Sequence, residues 1–268
     1  MSAHPSSPFT PFIYRSLVQL TADAPHLFAV EYRLSSTHPL TEQHPFPAAL
    51  LDALAGYIHL VDVMGYDPSD IIVAGDSAGG NLALALTRYL VENEGRAGTD
   101  SSPLPAPPGH LLLISPLTDL SNSHTDTHLM FSPPGGNREL ARSAYSNDMD
   151  IIDNDLGGKG APSYPSLAYV GPFGLGMALT NRYISPASLH RSLHVSFMGF
   201  PRTFIVAGGA ERFLDQICTL RDRMMRDIGE GQVTYYEEPD GIHDFIGYTS
   251  HPGCRAVLDA IGDWLSRD

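Results

Sequence analysis

The chain has 268 residues, 43% of them hydrophobic, and a formal net charge of −14, which fits a folded core but lacks the Lys and Arg clusters that bind nucleic acid or anionic membranes. Its two cysteines, Cys218 and Cys254, are too few for a disulfide framework or a cysteine-built metal site, and both read as buried thiols. The first residues have neither the basic start nor the apolar core of a signal peptide, and no apolar run approaches about 18 residues, so a cytoplasmic protein without stable membrane insertion is expected.

In chain order, residues 11–22 have helical character and residues 27–32 form a short apolar run that reads as a strand. Residues 46–64 carry Leu50, Leu51, Leu54, Ile58 and Val61 at helical spacing. Residues 71–74, Ile-Ile-Val-Ala, predict the next strand, and residues 77–92 the helix after it. A Pro-rich link, residues 102–108, leads to a strand over 110–115. Residues 121–183 are rich in Gly, Pro, Asn and Ser and show weak periodicity with two short helices, the pattern of a lid or cap insertion. Regular alternation then resumes: strand 203–207, helix 213–228, strand 232–237 and a closing helix 253–266. Strands separated by helices imply an α/β fold with a mostly parallel sheet covered on both faces. No repeat divides the chain, and a single domain over residues 1–268 is expected.

Between the strand at 71–74 and the following helix stands Gly75-Asp-Ser-Ala-Gly-Gly80, the only G-x-S-x-G in the chain. Such a turn at a strand's carboxyl end lifts a hydroxyl out of the sheet, and the helix start aims its N–H groups at developing negative charge. Ser77 is therefore a candidate nucleophile, with the backbone of Ala78 and Gly79 as candidate oxyanion donors. A base is expected in a loop on the same edge of the sheet. Among twelve histidines His243, just beyond the last strand, fits best. His38, His44 and His251 each precede proline and read as turn residues, and His59 lies on a predicted helix. His124 and His128 fall in the insertion, where lining a pocket is one reading and a place at its surface the preferred one. No H-E-x-x-H spacing supports a metal, and no cofactor is implied. For the acid that orients the imidazole, the loop residue Glu211 is preferred; Asp215 is the alternative, already inside a predicted helix.

Taken together, Glu31-Tyr-Arg-Leu34, His44-Pro-Phe-Pro-Ala-Ala-Leu50 with Asp52, the Ser77 turn, Ile184-Ser-Pro186, Gly-Ala-Glu211 and Gly-Ile-His243-Asp-Phe resemble the hormone-sensitive-lipase branch of the α/β-hydrolases, with fungal steryl-acetyl-hydrolase-like esterases especially similar. The resemblance runs from residue 11 to the C-terminus. It implies an α/β-hydrolase fold and hydrolysis of hydrophobic or short-acyl carboxylic esters, with Ser77 as nucleophile, His243 as base and then acid, and Glu211 at a position where the family more often has Asp. A small-molecule ester is the implied partner, and a homodimer is compatible with this reading. Apolar lid residues, Phe131, Leu167, Tyr169, Phe173, Leu175 and Met177, suggest a hydrophobic substrate or simple packing of the lid.

One departure concerns the oxyanion. No histidine in this sequence is followed by glycine, so the family's HGGG motif is not found and neither is the strand that precedes it. The expectation is that the lost strand's place, between residues 27–32 and 71–74, is filled either by 27–32 pairing directly with 71–74 or by another segment or chain, since buried unpaired backbone groups cost about 1–3 kcal/mol each. The departure also leaves a second reading, a catalytically weak or inactive small-molecule-binding protein on the same scaffold.

Overall fold

The computed structural model describes residues 10–20, 26–95, 103–124 and 164–267. Helix α1 spans Thr10–Leu20 and α2 spans Ala48–Ile58, running on into a π-helical turn at His59–Val63. Strand β1 (Ile72–Asp76) leads directly into α3 (Ser77–Asn93), and β2 is His110–Ile114. Two short helices, α4 (Tyr164–Val170) and α5 (Leu175–Thr180), lie within the expected insertion. Strand β3 (Arg202–Gly208), α6 (Leu214–Ile228), β4 (Val233–Glu238) and α7 (Gly253–Leu265) complete the order.

The four strands form one parallel sheet in the order β1-β2-β3-β4. Its register places Gly75 beside Leu113, Leu113 beside Ile205 and Ile205 beside Tyr235. The two-residue period of a strand splits β2 and β3 between two cores. Leu111, Leu113, Ile205 and Ala207 face α3 and α6, whereas Leu112, Ile114, Phe204 and Val206 face α1 and α7. Both faces of these strands are thus apolar, which is why β2 reads as a continuous run rather than an alternation. Burying each of its leucines contributes about 1.5–3 kcal/mol. The helices match these faces through their own period: Ile217, Leu220 and Met224 on α6, and Val257, Ile261 and Trp264 on α7. Helix α3 is buried along most of its length because α2 covers its outer side.

Residues 27–32 depart from expectation. They form no strand and pair with neither β1 nor any other described strand. Instead the segment runs across α2, with the Phe28 and Val30 side chains against Gly56 and the Phe28 ring 6.1 Å from His59. Arg33 fixes its end, the guanidinium Nε and Nη2 and the backbone N–H all donating to the Asp52 carboxylate at 2.8–3.1 Å. Val, Phe and Tyr favour extended backbone, but a ladder needs a neighbour at strand spacing, and packing on α2 holds this segment away from one. Among the described residues β1 is consequently an outer strand, with Ala74 exposed at its centre, and no described strand pairs with its outer side. The cysteines also differ from expectation: Cys254 is buried, but Cys218 is only half-buried beside the Tyr235 hydroxyl.

Of the insertion, residues 125–163, including His128 and Phe131, lie outside the described residues. The part that is described packs inward through Val170, Ala178 and Ile184 against Leu120, with Phe46 and Tyr169 meeting edge to face at 5.8 Å. Leu167, Phe173 and Leu175 remain exposed, whereas Tyr169 and Met177 are half-buried. No helix among the described residues is long and apolar enough to cross a membrane.

His124, expected at the surface, is 8% exposed. Its Nδ1 lies 2.9 Å from Asp119 Oδ2 and its Nε2 2.9 Å from Thr219 Oγ1 on α6. Burial alone would push the Asp119 carboxyl up, but hydrogen bonds from His124, Ser121 and Ser123 outweigh it and hold Asp119 below the ordinary carboxylate range. An isolated buried carboxylate is expensive, so the sequence around 119–124 wraps its polar groups onto that one side chain. Ser123 Oγ also accepts from the N–H of Leu189, which ties the two roots of the insertion together. Replacing His124 by alanine removes one partner of this buried pair and is expected to destabilise the fold by about 3 kcal/mol, measured by chemical denaturation; a loss below about 1 kcal/mol would place the pair outside the stability of this root.

Candidate active site

The elbow at Ser77 is made by close approach of strand and helix. A Cβ added at Gly75 would stand 2.2 Å from the Gly79 carbonyl oxygen, so only glycine fits there. Ser77 itself has φ +51, a left-handed conformation that is rare for a side-chain-bearing residue and that turns its hydroxyl away from the sheet. Helix α3 begins with no side-chain cap, because the Asp76 carboxylate makes no capping bond. The first N–H groups of a helix have no intrahelical partner, and those of Ala78 and Gly79 stand at the start of α3 directly after Ser77.

The acid and the histidine arrive on two loops from adjacent strands. A Cβ at Gly208, the last residue of β3, would be 2.2 Å from the Gly241 carbonyl oxygen, and Ala210 donates its N–H to that same oxygen at 2.9 Å. This contact of the β3 and β4 loops brings residues 211 and 243 together. His243 Nδ1 lies 3.0 Å from Glu211 Oε2, and its Nε2 lies 2.9 Å from Ser77 Oγ. Glu211 is 0% exposed and His243 4% exposed. The Phe213 ring meets the imidazole edge-on at 4.9 Å and limits its rotation. Asp215 instead takes its place in the first turn of α6, where its carbonyl accepts from the Thr219 hydroxyl.

Burial pushes the Glu211 carboxyl above the ordinary carboxylate range, opposed by His243, the Gly208 N–H and the Ser115 hydroxyl. The Gly208 N–H donates to Glu211 Oε1 at 2.9 Å. Two residues that sequence reading passed over complete the arrangement. Ser115, buried at the end of β2 with φ +42, donates to Glu211 and accepts from the Asp244 N–H at 3.2 Å. Asp244, with φ +53, turns its Oδ2 back to 3.2 Å from His243 Nε2. The available signals were a serine followed by proline at a strand end and an acid directly after the histidine. At the base of the elbow burial raises the Asp76 carboxyl, with the charge of His243 acting against it. Tyr14 is pushed up to about 12, first by burial and then by Asp76. Among the described residues no three His, Cys, Asp or Glu side chains converge as metal ligands.

A hydroxyl, an imidazole and a buried carboxylate in hydrogen-bonded sequence, beside the N–H groups of a helix start, have the chemistry to take a proton from the hydroxyl and bind the negative charge its attack creates. Comparison with known proteins addresses the fold and the family. A family model described as the α/β hydrolase fold matches residues 10–151. Esterase LipU of Mycobacterium tuberculosis is 38% identical over 250 residues, 93% of this chain and 69% of that protein. A hormone-sensitive lipase from a metagenome library is 26% identical with TM-score 0.60, covering 88% of this chain and 65% of that one. An esterase from the bacterial hormone-sensitive lipase family superposes with TM-score 0.59 at 21% identity, over 88% of this chain and 63% of that one. The chain thus spans less than two thirds of the length of these two solved neighbours. From the shared fold, the elbow and these relatives together, the chain belongs to the α/β hydrolase family and sides with its hormone-sensitive-lipase-like members.

Proposed function

We propose that this protein hydrolyses carboxylic esters through an acyl-enzyme on Ser77. The observation that carries the reading is the unbroken chain from Ser77 Oγ to His243 Nε2 at 2.9 Å and from Nδ1 to Glu211 at 3.0 Å. In this reading Ser77 Oγ attacks the ester carbonyl while His243 Nε2 takes its proton. The carbonyl oxygen becomes an oxyanion that accepts from the N–H groups of Ala78 and Gly79, helped by the positive end of the α3 dipole. Collapse of the tetrahedral species expels the alcohol, which takes the proton back from His243. A water activated by the same imidazole then attacks the acyl-enzyme and frees the acid. Glu211 keeps the Nδ1–H tautomer in place and balances the imidazolium that forms twice in each cycle.

The substrates proposed are hydrophobic or short-acyl esters, because Leu167, Phe173 and Leu175 of the α4–α5 region expose apolar surface. Hydrolysis of activated esters such as nitrophenyl acetate is expected to be the easiest reaction to observe, since a good leaving group needs less oxyanion stabilisation.

A fluorophosphonate probe tests the reading. One adduct per chain, found by mass spectrometry on the peptide containing Ser77 and absent from Ser77→Ala, supports it. No adduct on the folded protein, or equal labelling of Ser77→Ala, rejects it and leaves ligand binding without catalysis as the reading of this scaffold.

A further inference from the structure

His243 stands among three carboxylates. Glu211 holds Nδ1 at 3.0 Å, Asp244 Oδ2 lies 3.2 Å from Nε2, and Asp76 at the base of the elbow is near enough to feel the charge of the imidazole. Ser77 Oγ lies 2.9 Å from Nε2, and the Phe213 ring meets the imidazole edge-on. Asp244 can reach the ring of the residue before it only because its backbone is left-handed, φ +53 and ψ 34, a conformation that Asp, Asn and Gly tolerate. The donation of its N–H to buried Ser115 Oγ fixes that turn.

A neutral imidazole has one N–H. When that proton is on Nδ1 and given to Glu211, Nε2 presents a lone pair. Ser77 Oγ–H can donate to that lone pair, but the Asp244 carboxylate cannot, and its charge repels it. An imidazolium has two N–H groups, and here each one finds a carboxylate. An opposite charge at this distance raises a group's affinity for its proton by about one to three pH units.

We infer that Asp244 is a positioning residue that shares Nε2 with Ser77, favours the protonated state of His243 at rest, and so sets the pH above which ester attack can begin. The role has two sides. In the acylation step the Nε2 proton taken from Ser77 has an acceptor already in place, so the imidazolium is held while the leaving alcohol approaches. Below the midpoint, the same carboxylate keeps the base occupied. The sign follows: removing Asp244 lowers the pH at which neutral His243 appears, and the acid limb of the rate profile moves down with it.

This inference rests on the esterase reading for its consequence, and its test does not depend on turnover. Asp244→Asn and Asp244→Gly both suit the left-handed turn. The His243 ring is followed by 1H–15N NMR as a function of pH, its signals assigned by their loss in His243→Gln. The expected result is a midpoint about one pH unit lower in both variants than in the unaltered protein, with a matching fall in the acid limb of kcat/KM for nitrophenyl acetate. A role confined to bracing the turn would lower Tm and leave the midpoint where it was. An unchanged midpoint in the folded variants overturns the inference. Failure of the esterase reading would show separately, as no fluorophosphonate adduct on a protein whose His243 midpoint still responds to Asp244.

Discussion

Replacing Ser77 by alanine is expected to lower kcat for nitrophenyl acetate by about 10⁶-fold, the size of loss seen when a triad nucleophile is removed from a serine hydrolase. Alanine has no oxygen to form the acyl-enzyme, so what survives is water attack assisted by the N–H groups of Ala78 and Gly79, which are backbone and remain. The left-handed backbone of Ser77, φ +51, does not favour alanine any less than serine, and the fold should be unaffected. His243→Ala should cost a similar factor, because without the base the hydroxyl is a weak nucleophile. The double variant should be no slower than either single one, since both changes remove the same step. Steady-state rates and thermal melts of the three proteins check this. Losses that multiply in the double variant would mean that Ser77 and His243 act on separate steps, against the hydrogen bond at 2.9 Å.

Glu211→Gln is expected to lower turnover by up to about 10⁴-fold with the fold retained. Glutamine has the same length, and its carbonyl can still accept from the Gly208 N–H that bonds Glu211 Oε1 at 2.9 Å. Its amide nitrogen then faces His243 Nδ1 and donates to it, which places the ring proton on Nε2 and leaves no base toward Ser77. The carboxylate's charge is lost as well, so the imidazolium of the transition state has no counter-ion in a site where Glu211 is wholly buried. Asp215→Asn should stay within about tenfold of the unaltered rate, because that side chain belongs to the first turn of α6. If Asp215→Asn proves the slower enzyme while both variants melt normally, the acid has been misassigned.

The legible part of this protein was local. A hydrophobic period of two or 3.6 is a property of adjacent residues, and it placed β1, α3, β2, β3, α6, β4 and α7 within one or two residues of where the structure has them. The Ser77 turn was legible for the same reason: Gly75, Ser77 and Gly79 lie within five positions, and the steric demand that joins them is a 2.2 Å approach inside the turn itself. Glu211 and His243 could be named as candidates because parallel strands send their following loops to one edge.

What needed the tertiary structure were matters of partnership. Residues 27–32 have the composition of a strand, but a strand exists only through a neighbour, and contacts of Phe28, Val30 and Arg33 with α2 decided otherwise. His124 looked like a polar residue of a polar loop; only the fold sets it between Asp119 and Thr219, which are five and 95 positions away. Between Glu211 and Asp215 the sequence expressed a preference, whereas the Gly208–Gly241 approach determined which carboxylate reaches Nδ1. Ser115 belongs to no motif, and Asp244 entered only as part of the Gly-Ile-His243-Asp-Phe run, with no role of its own. Their roles come from left-handed backbones, one just past β2 and one in the loop after β4, which meet around Glu211 and His243, and that is a property of distances between loops, which no spacing along the chain encodes.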